Sequence, residues 1–315
     1  MGHDGHDHRA RPPAPGRTGE QDRRAGPVEA RHTRAVITRQ TGYLTIRSDG
    51  PAATRQLEQE GFALLPSVLD AAEVAELEAD IDRVFAEEPP DIRRPDRPAE
   101  RYQPFRYEML NRSAISQRVI GHPAILEVIE PLLGEDCHVI ANTAWRQAPG
   151  DNEHGGRYWH IDSGPHLPRP ADVPWDDRIP YPVFAVAAHI FVHDSPIECG
   201  PTGVIPRSHR SGQSPPLDRT DDDDLTCDGQ GVVPITADAG DVALFVSDVW
   251  HRRLPSQPGD PGRYFLQCHY GRRDLAPRLR LTRDANQLSD AAIARATTRR
   301  QQSLIGLHRA GFYDA

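Results

Sequence analysis

The region from about residue 137 to residue 270 limits most strictly what this chain can fold into, because it breaks into short runs bounded by Pro, Gly and Asp. The runs are apolar or alternating: CHVIANTAW, YWHID, VFAVAAHIFV, TGVIP, GVVPI, DVALFV and RYFLQCHY. Short runs with such boundaries are typical of β-strands. No helical pattern lies between them that could join parallel strands, so we predict an antiparallel jelly roll rather than a sheet with helical crossovers.

Helices are predicted on the flanks of this β region. PAATRQLEQE is interpreted as a helix that ends at Gly61, FALLP as a short strand, and PAILEVIEPLL as a helix that ends at Gly134. DAAEVAELEADIDRVFAEE is amphipathic, with Asp70 as the predicted N-cap and Glu73 completing a capping box. Its predicted buried stripe is Val74, Leu77, Ile81 and Phe85. The predicted fold class is therefore mainly β with flanking helices.

The 315 residues suffice for one large domain with appended segments. Residues 1–50 carry few core-forming side chains, so we expect a disordered tail that buries too little apolar surface to offset the entropy of ordering. Residues 51–282 are predicted to form the main domain, and residues 283–315 a helical extension packed on it. Asp221–Asp224, four consecutive acidic residues, are predicted to lie in a solvated loop.

The composition excludes several classes of function. All 37 basic residues are Arg, and the absence of Lys excludes Schiff-base chemistry and the phosphate-binding lysine of nucleotide hydrolases. A net charge of -9 argues against nucleic-acid binding. The four cysteines are widely spaced and no apolar stretch resembles a signal core or a membrane span. We therefore expect a cytoplasmic protein with a small-molecule substrate, without nucleic-acid or membrane partners, and of undetermined oligomeric state.

A pattern of metal ligands is divided between two parts of the β region. RYWHID places His160 two residues before Asp162, and His251 follows the predicted strand VALFV. The His-x-Asp triplet alone is a weak signal, because chance produces it about once in a chain of this composition. With a second His at the same mouth of a barrel, however, it predicts three facial ligands for iron(II), which leaves three positions open.

The open positions suit a 2-oxo acid that chelates the metal beside dioxygen. The distal carboxylate of such a cosubstrate needs a fixed cation, and the planar guanidinium of Arg is well suited to it. Arg263 opens the strand after His251, and we predict it across a hairpin from that residue. Arg252 and Arg253 remain alternatives for the same role.

The segments WHID, ECGPTGVIPRSHRSG and GDVALFVSDVWH, with the following Arg, resemble the phytanoyl-CoA dioxygenase family of iron(II)/2-oxoglutarate oxygenases. The similarity extends from LEQEGFALLPSVLD to about residue 272. It implies a double-stranded β-helix, iron(II), 2-oxoglutarate and dioxygen as cofactors, and His160, Asp162 and His251 as the catalytic metal ligands.

The sequence departs from the family pattern at three places. Cys199 stands where Asn is common, and Arg207 stands where Gly is common. The gap from His251 to Arg263 is one residue longer than usual, which is why the neighbouring arginines stay open as substitutes.

Further contacts are predicted around this centre. Thr143, Trp145 and Gln147 share one face of a strand by alternation. Gln147 falls near a position where relatives place a 2-oxoglutarate contact, so Thr143 and Gln147 are predicted to bind the cosubstrate. His166, in the loop after the triplet, and Arg106, in FRYEML, are predicted to line the substrate pocket, with a packing role equally open for Arg106.

The resemblance implies oxidation of a small organic molecule coupled to conversion of 2-oxoglutarate to succinate. Hydroxylation is the default outcome, in a setting such as specialised-metabolite biosynthesis, and desaturation, epimerisation and cyclisation stay open. A halogenase of this fold lacks the ligand carboxylate, so Asp162 argues against it. The alternative from another class is a non-catalytic cupin-like binding module, which would need neither Arg263 nor 2-oxoglutarate.

Overall fold

The computed structural model describes residues 38–40, 43–45, 50–89, 100, 103–150, 155–162, 164–275 and 288–308. Most of the predicted disordered tail therefore lies outside the described residues, as do parts of the predicted C-terminal extension. Within the tail region, β1 (Thr38–Gln40) pairs antiparallel with β2 (Tyr43–Thr45).

The predicted antiparallel β architecture is confirmed as two sheets. The larger has six strands in the order β3-β9-β6-β11-β5-β4, and the smaller has three in the order β10-β7-β8. Every strand pair in both sheets is antiparallel. The strands are β3 (Phe62–Leu65), β4 (Phe105–Tyr107), β5 (His138–Gln147), β6 (Ala185–Phe191), β7 (Thr202–Val204), β8 (Val233–Ile235), β9 (Val242–Val246), β10 (His251–Arg253) and β11 (Arg263–Gly271).

Two details of the predicted strands are wrong. YWHID is not a strand, because within it only His160 forms a β-bridge, to His251. The predicted hairpin between His251 and Arg263 is absent, since β10 pairs with β7 in the smaller sheet while β11 pairs with β5 and β6 in the larger one. The connection between β10 and β11 therefore crosses from one sheet to the other.

The helices are α1 (Gly50–Glu60), α2 (Ala71–Glu87), α3 (Met109–Arg112), α4 (Ala114–Val119), α5 (Pro123–Leu133), α6 (Asp290–Arg295) and α7 (Arg299–Leu304). The capping box of α2 is confirmed, because the Asp70 carboxylate accepts from Glu73 N at 2.9 Å and Glu73 accepts from Asp70 N at 3.2 Å. The buried stripe differs in part from the prediction. Leu77, Ile81 and Val84 are buried, whereas Val74 and Phe85 at its edges are only partly covered.

The C-terminal segment forms two short helices rather than one continuous helix, because each begins at its own capping residue. Ser289 caps α6 and Thr298 caps α7, where Gln301 completes a capping box. Arg300 joins α7 to the rest of the fold by donating to Glu130 at 2.8 Å and to the Cys137 carbonyl at 3.0 Å.

Alternation along β11 divides the interior into two regions. Leu266, Cys268 and Tyr270 face the helices and belong to the main core, while Phe265 belongs to a second apolar cluster that includes Val204 of the smaller sheet. The face of β11 that carries Phe265 therefore looks into the space between the sheets. In the described part of the chain, no helix is long and apolar enough to cross a bilayer.

Candidate active site

The three predicted metal ligands meet between the two sheets. His160, Asp162 and His251 offer ligand atoms that all lie within 4.8 Å of one another. Backbone hydrogen bonds fix the segments that carry them: His160 and His251 exchange two N–H···O=C bonds of 3.0 Å, and Asp162 N donates to Ser247 O at 3.0 Å. The convergence therefore follows from the backbone rather than from side chains alone.

Both imidazoles are oriented by carbonyl groups. His160 Nδ1 lies 2.7 Å from Tyr158 O, and His251 Nδ1 lies 2.8 Å from Val249 O. Since a carbonyl oxygen only accepts, each Nδ1 carries the proton and each Nε2 is left as the ligand atom. His251 Nε2 lies 3.5 Å from Asp162 Oδ1.

The electrostatics of these groups suit a divalent metal. Burial, with a contribution from the nearby His251, lowers the pKa of His160 to about 4, so its ring is neutral at neutral pH. Burial also opposes the charged form of His251, but the Asp162 carboxylate outweighs it and raises the pKa. For Asp162, burial would raise the pKa, yet His251 and His269 together hold it below its usual range. Two imidazoles and one carboxylate form the donor set of a facial iron(II) site.

The triad lines a cavity of about 350 Å³ between the sheets. Alternate residues of β11 face this cavity: Arg263, Phe265, Gln267 and His269. The remaining lining residues are Phe105, Tyr107, Trp145, Gly156, His189, Thr202, Phe245, Arg252 and Arg253.

Two buried arginines lie at the same end of the cavity. Arg263 donates to Thr202 Oγ1 at 3.1 Å, and Arg253 lies opposite Thr202 in the pairing of β10 with β7. Burial and the nearby positive charge of Arg253 lower the pKa of Arg263 to about 10. Arg252 differs from both, because its guanidinium is ion-paired with Asp223.

The family model described as Phytanoyl-CoA dioxygenase (PhyH) matches residues 57–255. The chain belongs to the phytanoyl-CoA dioxygenase family. It is thus an enzyme of the iron(II)/2-oxoglutarate-dependent class, with dioxygen as the oxidant, and the predicted double-stranded β-helix is confirmed. A search of the curated proteins found no match.

Three solved structures illustrate the shared fold. The epimerase SnoN, in complex with Fe3+, alpha ketoglutarate and nogalamycin RO, is 20% identical with a TM-score of 0.53 over 72% of this chain and 85% of that chain. The carbocyclase SnoK from nogalamycin biosynthesis is 17% identical with a TM-score of 0.52 over 74% and 88%. HygX from Streptomyces hygroscopicus, with nickel and 2-oxoglutarate bound, is 14% identical with a TM-score of 0.53 over 72% and 88%. At these identities the likeness is one of fold.

The departures from the pattern of the phytanoyl-CoA dioxygenase family have local explanations. Arg207 adopts a φ of +67°, a left-handed conformation that Gly enters at no steric cost, which accounts for the Gly common at this position. Cys199 is buried, and its thiol donates to Pro196 O at 3.0 Å. Next to Arg207, Ser208 Oγ accepts from Trp250 N at 2.8 Å, so this family segment supports the residue that precedes His251.

The predicted cosubstrate contacts on β5 are buried but do not line the cavity. Gln147 lies opposite Arg263 in the pairing of β5 with β11, and Thr143 lies opposite Gln267. Neither Oε1 nor Nε2 of Gln147 has a hydrogen-bond partner among the described residues. Gln147 is therefore a buried, unsatisfied amide beside the predicted carboxylate-binding arginine.

Arg106, predicted either to line the substrate pocket or to have a packing role, faces away from this cavity. It lies between Phe105 and Tyr107 on β4, and because neighbours in a strand face opposite sides, those two residues line the cavity instead. Its guanidinium donates to Glu88 O at 2.9 Å and lies over the Phe85 ring at 4.3 Å. These contacts favour the packing role for Arg106.

His166 is also placed away from the cavity. Its Nδ1 lies 2.5 Å from Asp248 Oδ1, its backbone N donates to Asp248 Oδ2 at 2.8 Å, and its ring stacks on Phe184 with centroids 4.9 Å apart. These contacts fix the loop after the triplet and leave His166 outside the cavity that the triad lines.

The acidic loop is solvated as predicted and is also tied to the ligand-bearing segments. Trp159, next to His160, donates its backbone N–H to Thr220 O at 2.6 Å and its indole N–H to Asp222 O at 2.7 Å. The Arg252 guanidinium lies over the Trp159 ring at 5.0 Å. The loop therefore contacts both segments that carry the triad, through Trp159 and through the ion pair between Arg252 and Asp223.

Several cavity residues were missed by the sequence analysis. Gln267 and His269 share the face of Arg263 through the period-two alternation of RYFLQCHY, and this signal could have identified them. Phe105 and Tyr107 gave no comparable signal, since β4 is only three residues long.

Proposed function

We propose that this enzyme hydroxylates a small organic molecule, using iron(II), 2-oxoglutarate and dioxygen. The observation that carries the proposal is the convergence of His160, Asp162 and His251 in a cavity that also holds the buried Arg263. Epimerisation, cyclisation and desaturation are the competing outcomes, and the first two are represented among enzymes of the same fold by SnoN and SnoK. Such chemistry suits a tailoring step in specialised-metabolite biosynthesis.

His160 and His251 would hold iron through Nε2, and Asp162 through one carboxylate oxygen. Tyr158 O and Val249 O orient the two rings, because each accepts a hydrogen bond from an Nδ1–H group. When bound, the iron supplies the oxidising chemistry, with dioxygen as oxidant and 2-oxoglutarate leaving as succinate. The protein contributes position and a cavity shielded between two sheets.

Arg263 would bind the distal carboxylate of 2-oxoglutarate. Its side chain is buried, it donates to Thr202 Oγ1 at 3.1 Å, and its Nε has no acceptor among the described residues. A carboxylate there would satisfy the guanidinium and offset its repulsion with Arg253. The unsatisfied amide of Gln147 lies beside the same position and is proposed as a further contact.

Thr143 is left out of the proposed cosubstrate site. Four residues separate it from Gln147 along β5, which corresponds to about 13 Å of extended strand. It lies opposite Gln267 rather than Arg263. This distance is too great for both side chains to contact the same carboxylate.

The experiment is a screen of small organic molecules with the purified protein, iron(II), 2-oxoglutarate and air. Succinate and the substrate are followed by mass spectrometry. Hydroxylation predicts succinate in step with a product heavier by one oxygen atom. A product without added oxygen would favour epimerisation, cyclisation or desaturation. If no compound increased succinate release and iron(II) with 2-oxoglutarate did not bind, the alternative of a non-catalytic binding module would replace the proposal.

A further inference from the structure

We infer that the substrate is a neutral, ring-bearing molecule that offers a hydrogen-bond acceptor to Gln267 and a hydroxyl or amine donor to His269. The inference rests on the proposed function of the same cavity and names its substrate class. It depends on where β11 places these side chains and on which of their polar atoms are already engaged.

The strand β11 orders the cavity from one end to the other. Arg263, Phe265, Gln267 and His269 alternate on its inner face, so each lies about 7 Å from the next along the strand. Arg263 marks the end where the distal carboxylate of 2-oxoglutarate would bind. His269 marks the other end, where its Nδ1 lies 3.6 Å from Asp162 Oδ2. Gln267 and His269 therefore lie toward the triad, at the end of the cavity away from Arg263.

The amide of Gln267 presents a donor to the cavity. Its Oε1 accepts a hydrogen bond from Trp145 Nε1 at 2.8 Å. An indole N–H can only donate, so this contact assigns the oxygen to Trp145 and leaves the amide nitrogen on the cavity side. A carbonyl or ether oxygen of a substrate would match that nitrogen.

The ring of His269 presents an acceptor. Its Nδ1 faces the Asp162 carboxylate, and a proton on Nδ1 is attracted to that anionic oxygen whereas a lone pair would be repelled. In the neutral ring, Nε2 then carries the lone pair. A substrate hydroxyl or amine can donate to it, next to the position where oxidation would occur.

Aromatic rings cover the wall near these two polar groups. Phe105 meets Trp145 edge-on with centroids 4.4 Å apart, Trp145 stacks on Phe265 at 5.4 Å, and Tyr107 lies 6.0 Å from Phe105. Such a surface favours the flat or apolar faces of a ring system. Polar recognition is then concentrated on one edge of the ring.

The distribution of charge argues that the substrate is neutral. Among the described residues that line the cavity, Arg253 and Arg263 are cationic side chains at the cosubstrate end, and the charge of the third, Arg252, is paired with Asp223. The chain contains no Lys. The Gln267 end offers an amide and an imidazole instead. A phosphate or carboxylate there would be desolvated without a counter-charge, which is costly.

The test measures binding of three probes to the zinc(II)- and 2-oxoglutarate-loaded protein by saturation-transfer NMR. The probes are an α-hydroxytetralone, which carries a donor beside a ring carbonyl, the parent tetralone, which lacks the donor, and naphthoate, which is anionic. We expect the hydroxytetralone to bind about fivefold to tenfold more tightly than tetralone, as one hydrogen bond predicts. Naphthoate should bind more weakly than either ketone.

Two variants assign the effect to the two side chains. In His269→Phe, the hydroxytetralone and tetralone should bind with about equal affinity. Gln267→Leu should weaken the binding of both ketones and leave the ratio of their affinities unchanged. The control is His193→Phe, the same substitution at a half-exposed residue that pairs with Glu78, and it should behave as wild type. Tight binding of naphthoate, or an unchanged preference in His269→Phe, would overturn the inference.

The anaerobic iron(II) absorption band distinguishes a wrong substrate class from a failure of the proposed function. If wild type forms the iron(II)–2-oxoglutarate band but does not discriminate among the probes, the substrate class is wrong and the proposed function stands. If the band does not form, the proposed function fails and the inference fails with it. Gln267→Leu lies outside the contact between His269 and Asp162, so it remains informative if His269→Phe loses metal.

Discussion

Nε2 of His251 lies 3.5 Å from Oδ1 of Asp162, and the two side chains come from different segments of the chain. A backbone bridge between His160 and His251 joins these segments, so folding of the β-sandwich itself brings the donor atoms together. Nearby, the Ser247 carbonyl accepts from Asp162 N at 3.0 Å. The positions of the donor atoms therefore depend on backbone contacts as well as on the side chains, which makes the effects of variants predictable.

Asp162→Ala should abolish succinate formation while the protein stays folded. The substitution removes one of three ligands together with the negative charge that offsets the metal. Thermal unfolding checks the fold, and metal analysis checks the loss of iron. Asp221→Ala, in the exposed acidic loop, is the matched control and should retain its iron. Wild-type turnover in a folded Asp162→Ala protein would remove this residue from the site.

Arg263→Ala should weaken 2-oxoglutarate binding by about 2 to 5 kcal/mol, at least roughly thirtyfold, because it leaves a carboxylate unpaired in a buried pocket. Iron binding should survive. Arg253→Ala should have a smaller effect, and Arg252→Ala should be close to wild type because Arg252 is ion-paired with Asp223. The measurement is anaerobic titration of 2-oxoglutarate into the iron(II) protein. Wild-type affinity in Arg263→Ala, with a large loss in either of the other variants, would reassign the carboxylate-binding arginine.

Ser208→Ala should destabilise the protein by about 1 to 3 kcal/mol, because it leaves the buried Trp250 N–H without its 2.8 Å acceptor. The free energy of unfolding in urea gives the measurement. Ser214→Ala, at an exposed position, provides the control and should change stability little. Equal stabilities for the two variants would mean that Ser208 does not support the segment before His251.

Asp70→Ala should cost about 1 kcal/mol of stability through loss of the capping box of α2. Because α2 lies outside the cavity, 2-oxoglutarate affinity should stay at the wild-type value. Urea unfolding and the anaerobic titration, made on the same preparation, separate the two effects. A loss of cosubstrate affinity without loss of stability would contradict this division.

The local features of the fold could be predicted because their signals are local. The capping box at Asp70 follows from residues three apart, and most strands follow from short apolar runs with clear boundaries. The triad was also accessible, since His160 and Asp162 share one segment and His251 ends a family motif. These features depend little on which strands become neighbours.

The features that the sequence did not reveal depend on which strands pair and in which register. The side-chain direction of Arg106 follows from the register of β4 against β5. A strand of three residues is too short for its sequence pattern to predict that register. The relation of His251 to Arg263 depends on which sheet each strand joins. The position of His166 depends on its contact with Asp248, which lies far away in sequence.

The most direct test of the central claim is anaerobic titration of iron(II) and then 2-oxoglutarate into wild type, His160→Ala and His251→Ala. In wild type we predict one iron per chain and a visible charge-transfer band that appears only when 2-oxoglutarate is added. Both variants should remain folded and lose the band. A band of wild-type strength in either folded variant, or no band in wild type, would contradict the assignment of this triad as the iron site.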